Sequence, residues 1–175
     1  MTPDPTWLLE RVRDVPDFPQ PGIVFKDLTP LLADVDAFRF SVDAIADHAA
    51  GLTVDKVVGI EARGFLWAAP VAYRIGAGFV PVRKPGKLPW RTVRETYALE
   101  YGTDSLEAHA DAVAPGDSVL IVDDVLATGG TAEATMSLVE QAGGRVVGFV
   151  VLLELEFLHG RERLAGHPVH TVLAV

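Results

Sequence analysis

Cysteine is absent from the 175 residues, which excludes a disulfide framework and any thiolate chemistry. Acidic residues are absent from one stretch. Between Ala62 and Arg94 there is no Asp or Glu, while Arg63, Arg74, Arg83, Lys84, Lys87, Arg91 and Arg94 all fall inside it. Seven of the fifteen basic residues of a chain with net charge -9 are therefore gathered there, leaving eight against twenty-four acids elsewhere. The acidic balance argues against a nucleic-acid partner. The basic segment is either a solvated face or a site for an anion. Apolar runs long enough to span a bilayer are lacking, since stretches such as Val146 to Leu153 are far too short, and Met1 to Arg13 has no signal-peptide core. These absences predict a soluble cytoplasmic protein with no membrane partner. The five histidines, His48, His109, His159, His167 and His170, show no metal-ligand spacing and fall in no motif, so they read as non-catalytic. No repeat or low-complexity tract interrupts the chain, and a hydrophobic fraction of 49% is ample for one core, so a single domain over residues 1–175 is expected.

What is present is concentrated between Val119 and Thr131. The branched apolar run Val119-Leu120-Ile121-Val122 reads as a strand buried on both faces, as in a parallel sheet. It meets two acids, Asp123 and Asp124, at its carboxyl end, where open α/β sheets bind ligands. The loop Ala127-Thr128-Gly129-Gly130-Thr131 follows, with glycines that turn backbone N–H groups inward and hydroxyls beside them. A helix over Thr131 to about Ala142 then points the positive end of its dipole at the same spot. Carboxylates accepting from sugar hydroxyls beside a loop that holds a phosphate suggest a sugar phosphate. A tightly held metal on the two acids is the alternative, but no His or further acid stands at ligand spacing. Two other nucleotide motifs fail. A P-loop would need Gly where Pro81 stands and Ser or Thr where Leu88 stands, and the Rossmann pattern from Gly76 meets Pro81 at its third glycine.

The rest of the chain alternates strands and helices. A short helix is expected over Thr6 to Arg13, then a proline-rich turning segment from Pro16 to Gly22. Irregular backbone would present Ile23 to Asp27, whose apolar residues either plug the core or wall a pocket. Asp36 is expected to cap a helix from Ala37 to Ala50. Lys56 to Ile60 reads as a buried strand ending in Glu61-Ala62-Arg63-Gly64, which is either an anion-holding turn or a buried Glu61 to Arg63 ion pair. A helix over Phe65 to Ile75, a strand over Phe79 to Val82 and a long loop over Arg83 to Thr96 come next. Tyr97 to Tyr101 alternates and puts Glu100 on an outward face. Strands over Ser105 to Ala110, Arg145 to Glu154 and Val169 to Val175 complete the pattern, with a short helix or turn at Phe157 to Leu164. The fold class is α/β, a mostly parallel sheet with helices on both faces.

The Val119 to Thr131 stretch resembles the phosphoribosyl-diphosphate (PRPP) signature of the type I phosphoribosyltransferases. Three further segments resemble adenine phosphoribosyltransferases in the same order, so the resemblance runs from about Pro16 to Leu164. It implies the type I fold with a small N-terminal hood over residues 16–31 and a flexible catalytic loop over 83–96. In the hood Phe25 would stack on the purine, the backbone of Val24 would read its edge, and Lys26, standing where Arg is expected, would lie close by. Glu61, Ala62 and Arg63 would form the diphosphate turn, with Arg63 holding the leaving group. The basic residues Arg83, Lys84 and Lys87 of the loop that opens Arg-Lys-x-Gly-Lys-Leu-Pro would join them; Trp90-Arg91 stands where small residues are expected. Asp123 and Asp124 would hold the ribose, and Ala127, Thr128, Gly129, Gly130 and Thr131 its 5'-phosphate. In the Tyr-x-Leu-Glu-Tyr-Gly segment, Glu100 would manage the base proton and Tyr101 would line the closed site.

The resemblance implies transfer of the 5-phosphoribosyl group of PRPP to adenine, giving AMP and diphosphate. Magnesium would be carried mainly by PRPP and water, without a protein cage. A homodimer is implied, with Arg83 or Lys84 near the neighbour's diphosphate site. Two rivals remain. A transferase for hypoxanthine, guanine or xanthine would carry its base-reading residues after the central motif, whereas the match here lies at Pro16 to Asp27. A non-catalytic PRPP-binding regulator would need a nucleic-acid surface or an added domain that this acidic chain lacks.

Overall fold

The computed structural model describes residues 4–98 and 102–175. Its centre is a five-stranded, wholly parallel sheet in the order β4-β3-β7-β8-β9. The strands are β3 (Lys56–Ile60), β4 (Gly78–Val82), β7 (Ser118–Leu126), β8 (Arg145–Glu154) and β9 (Val169–Ala174). Strand alternation divides the core in two. Val57, Leu120, Val122, Val150 and Leu152 pack on one face against α2 (Val35–His48) and α3 (Phe65–Ile75); Val58, Ile60, Ile121, Phe149 and Val151 pack on the other against α4 (Gly130–Gln141). Val119, Leu120, Ile121 and Val122 are all fully buried, each stabilising the fold by roughly 1.5–3 kcal/mol. Gly59 lets α3 close on β3: a Cβ there would lie 2.7 Å from that of Ala68.

From β3 the chain runs out to the edge strand β4 and then returns across β3 to β7. The loops that leave β3 and β7 thus diverge at a switch in strand order, between two adjacent carboxyl ends. That is where doubly wound sheets open a crevice.

Several sequence expectations shift at their edges. β7 does not stop at the acids; it pairs with β8 through Asp123 opposite Val151 and on to Leu126 opposite Glu154. The first turn of chain, Pro5–Arg11, is a 3-10 helix, and Arg13 to Pro16 is strand β1. Ile23 to Asp27 is not irregular, because β2 (Val24–Asp27) pairs antiparallel with β1, leading into the one-turn helix α1 (Thr29–Ala33). The cap of α2 is Asp34, not Asp36: its Oδ1 accepts from the N–H groups of Asp36 and Ala37, both at 3.0 Å. The loop expected over Arg83 to Thr96 is shorter, since β5 (Thr92–Ala98) pairs antiparallel with β6 (Thr103–His109). This hairpin lies over α4, where Val93, Tyr97, Leu106 and Ala108 join its apolar face.

Candidate active site

A cleft of about 250 Å³ opens at the ends of β3 and β7, lined by Glu61, Ala62, Arg63 and the run from Asp123 to Ala132. It brings together every residue that the two central motifs single out. Gly64 makes the closeness possible, because any Cβ there would fall 2.6 Å from Asp123 Oδ1 and 2.8 Å from the Ile60 carbonyl. The turn therefore folds back onto its own strand and against the acid pair.

The Glu61 to Arg63 ion pair, the alternative to an anion-holding turn, does not form. Glu61 Oε2 instead accepts from Arg83 Nε at 3.0 Å and from the Lys84 N–H at 2.8 Å. Those bonds, with the Lys87 charge adding to them, hold the Glu61 carboxyl below its ordinary range. Arg63 turns the other way, with Nε 2.9 Å from Asp124 Oδ2 and its guanidinium 5.0 Å from the centre of the Phe25 ring. Asp124 is 4% exposed, and its Oδ2 has no hydrogen-bond partner among the described residues. Asp123 keeps an edge open to the cleft and takes the Asp124 N–H on Oδ1 at 2.9 Å. Burial pushes the Asp123 carboxyl well up, with the neighbouring Asp124 charge adding to it. Burial also raises Asp124, against the pull of Arg63.

The loop after β7 owes its shape to backbone contact. Gly129 takes φ +83°, and a Cβ on it would lie 2.4 Å from the Gly160 carbonyl oxygen; one on Gly160 would lie 2.0 Å from that of Ala127. The 3-10 turn Gly160–Leu164 thus backs the loop, itself pinned where Arg161 donates to the buried Glu154 carboxylate. At Gly130 the loop enters α4, whose free N–H groups and dipole suit an anion. Tyr97 Oη shares a 3.4 Å hydrogen bond with Thr131 Oγ1 and donates to Asp104 Oδ2 at 3.2 Å. Lys84 Nζ donates to the same Asp104 oxygen, tying the start of the 84–91 connection to this network. Burial alone would lower the Lys84 pKa; its bonds to Asp104 and Tyr97 raise it instead.

Of the remaining candidates, Lys87 stands exposed on that connection. Phe25 faces Arg63 and packs edge-on against Phe18, while Lys26, on the opposite side of β2, donates to Asp14 at 2.7 Å. Val24 is largely exposed beside them. Glu100 and Tyr101 lie outside the described residues. Sequence reasoning missed Gly160, Asp104 and Glu107. A lone glycine after His159 carries no local signal, and two acids on a hairpin read as solvated until their partners on distant elements are known.

A parallel sheet with an acid pair and a glycine-rich loop at its switch point is the frame of the site, and residues 32–170 match the family model described as a phosphoribosyl transferase domain, which puts the chain among the transferases. The chain belongs to the adenine phosphoribosyltransferase family. It is 61% identical to the adenine phosphoribosyltransferase of Thermobifida fusca, with all of both chains covered. The crystal structure of adenine phosphoribosyltransferase from Thermoanaerobacter pseudethanolicus superposes with a TM-score of 0.96 at 51% identity, over 98% of this chain and 99% of that one. The Saccharomyces cerevisiae enzyme, solved with an imino-altritol bisphosphate and adenine, gives 0.92 at 38% identity, over 98% and 99%.

Proposed function

We propose that this chain transfers the 5-phosphoribosyl group of PRPP to adenine, releasing AMP and diphosphate, as a step of purine salvage. The observation that carries the reading is the single cleft that joins the Glu61 to Arg63 turn to the Asp123 to Thr131 stretch, with the Arg63 to Asp124 ion pair in its wall. Breaking the bond between ribose C1 and diphosphate builds positive charge on the sugar and negative charge on the leaving group. Asp123 and Asp124 hold the ribose hydroxyls and favour the cationic sugar, while Thr128 to Thr131 and the α4 N-terminus take the 5'-phosphate. Arg63, with Arg83, Lys84 and Lys87 around it, takes the diphosphate. Phe25 stacks on adenine, the Val24 backbone reads its edge, and Glu100 manages its proton while Tyr101 lines the closed site. The 84–91 connection closes over the site and excludes water, which would otherwise hydrolyse PRPP.

Magnesium enters with PRPP. It would be held mainly by the diphosphate and water, where it would neutralise charge on the leaving group, while Asp123 and Asp124 stay on the ribose hydroxyls. The working form is a cytoplasmic homodimer of one domain per chain, in which Arg83 or Lys84 stands near the neighbour's diphosphate site. A fully active monomer in sedimentation would remove that assembly.

The test is to supply PRPP, magnesium and one purine at a time, and identify the nucleotide. Adenine should be converted far faster than hypoxanthine, guanine or xanthine. Comparable turnover of a 6-oxopurine would sink the adenine assignment.

A further inference from the structure

Glu107 is 4% exposed and does not line the cleft, yet both oxygens of its carboxylate are engaged. Oε2 accepts from the Gly86 N–H at 3.0 Å; Oε1 accepts from Arg94 Nε at 2.9 Å and from the neighbouring Nη2. Its backbone bonds Arg83 in both directions, the Arg83 N–H to the Glu107 carbonyl at 2.8 Å and the Glu107 N–H to the Arg83 carbonyl at 2.7 Å. One residue of β6 thus holds positions 83, 86 and 94, the feet of the segment that carries Lys87, Trp90 and Arg91. A buried carboxylate is unfavourable unless paired, and the residues on either side, Leu106 and Ala108, are plain core. The held feet lead back to the cleft. Arg83 sends its side chain to Glu61, and the Lys87 charge is felt at the same carboxylate.

We propose that Glu107 is a positioning residue for phosphoribosyl transfer: by clasping both feet of the 87–93 segment it sets where Lys87 stands on the diphosphate side of the cleft, without touching substrate. The proposal rests on the reading of the Glu61 to Arg63 turn as the diphosphate site. Glu107→Gln keeps the shape and an acceptor for Gly86 but loses the charge that grips Arg94. Arg94→Gln loses the other half of the clasp, and its side chain is 56% exposed, so folding is not at stake there.

The measurement is the affinity of full-length protein for magnesium diphosphate and, separately, for AMP, together with KM for PRPP. Both variants should weaken diphosphate binding and raise KM for PRPP by about ten- to hundredfold, the scale of a displaced positioning group. AMP, which lacks the diphosphate, should bind within about twofold of the parent, and the double variant should be no worse than either single one. A merely structural role would lower both affinities alike or neither, and either result overturns the proposal. Should Glu107→Gln fail to fold, Arg94→Gln decides alone. Arg63→Ala is the reference: if it binds diphosphate as the parent does, the site assignment is at fault, whereas failure of the clasp shows only in the Glu107 and Arg94 variants.

Discussion

Asp124 keeps Oδ2 2.9 Å from Arg63 Nε and yet accepts no hydrogen bond there from any described residue. The pair balances charge on a nearly buried carboxylate whose oxygen is left short of a hydrogen-bond donor, an unusual state for a buried polar atom. We expect Asp124→Asn to lose charge-assisted hydrogen bonds worth roughly 1.5–3 kcal/mol each, so PRPP affinity should fall by about one to two powers of ten. PRPP-dependent thermal stabilisation measures it. An unchanged response would take Asp124 out of the ribose site.

The acid pair also costs stability before substrate arrives. Burial and mutual repulsion raise Asp123 above the unfolded value of 3.8, so its favourable contribution is complete below that pH and is lost as pH rises through the folded pKa. Asp123→Asn, which can still accept from the Asp124 N–H, should therefore raise the melting temperature of ligand-free protein at neutral pH. The gain, about 2–4 °C per kcal/mol for a chain this long, should vanish in acid. A variant melting below the parent at pH 7 would contradict the sign.

Gly160 does not line the cleft, but it backs the loop after β7 so closely that a Cβ on it would lie 2.0 Å from the Ala127 carbonyl oxygen. Gly160→Ala must displace the Ala127 carbonyl. Overpacking of this kind costs about 1–3 kcal/mol. We expect lower stability together with weaker binding of both PRPP and AMP, since both share the 5'-phosphate. Phosphate binding equal to the parent would show that the loop adjusts freely.

The proposed role of Glu100 separates chemistry from binding. If it acts only on the base proton, Glu100→Gln leaves PRPP binding nearly unchanged while kcat falls steeply. Thermal shift and turnover, measured side by side, separate the two. Turnover at the parent rate would return Glu100 to the outward-facing role that strand alternation gives it.

The Val119 to Thr131 half of the cleft was legible because it is announced within a dozen residues by an unbroken branched apolar run, an acid pair, then glycines before a helix, whereas the Glu61 to Gly64 turn was weak by itself and read as a site only beside that stretch. What escaped depends on contacts between segments. The β1 and β2 hairpin hides among Pro16, Pro19 and Pro21, since only cross-strand pairing makes four residues on each side a ladder. Thr92 to Thr96 reads as loop because its alternating burial comes from lying on α4, not from the main sheet. Asp34 and Asp36 flank a single residue at the start of α2, and nothing local says which one caps it. Glu61 illustrates the limit most directly, for the nearest arginine in the sequence is Arg63 while the one it holds is Arg83.

The register of β3 against β7 sets Lys56 opposite Val119, sixty-three positions further along the chain, and Gly59 opposite Val122. The walls of the cleft therefore come from segments that are strangers until a distant parallel pairing is made, a step slow in folding because a long loop must close before any contact rewards it. On the proposed assignment, neither half of the crevice would hold PRPP by itself. During refolding, recovery of PRPP binding should consequently trail the return of helical signal, and the ligand should act as a late brake on unfolding instead of an early template.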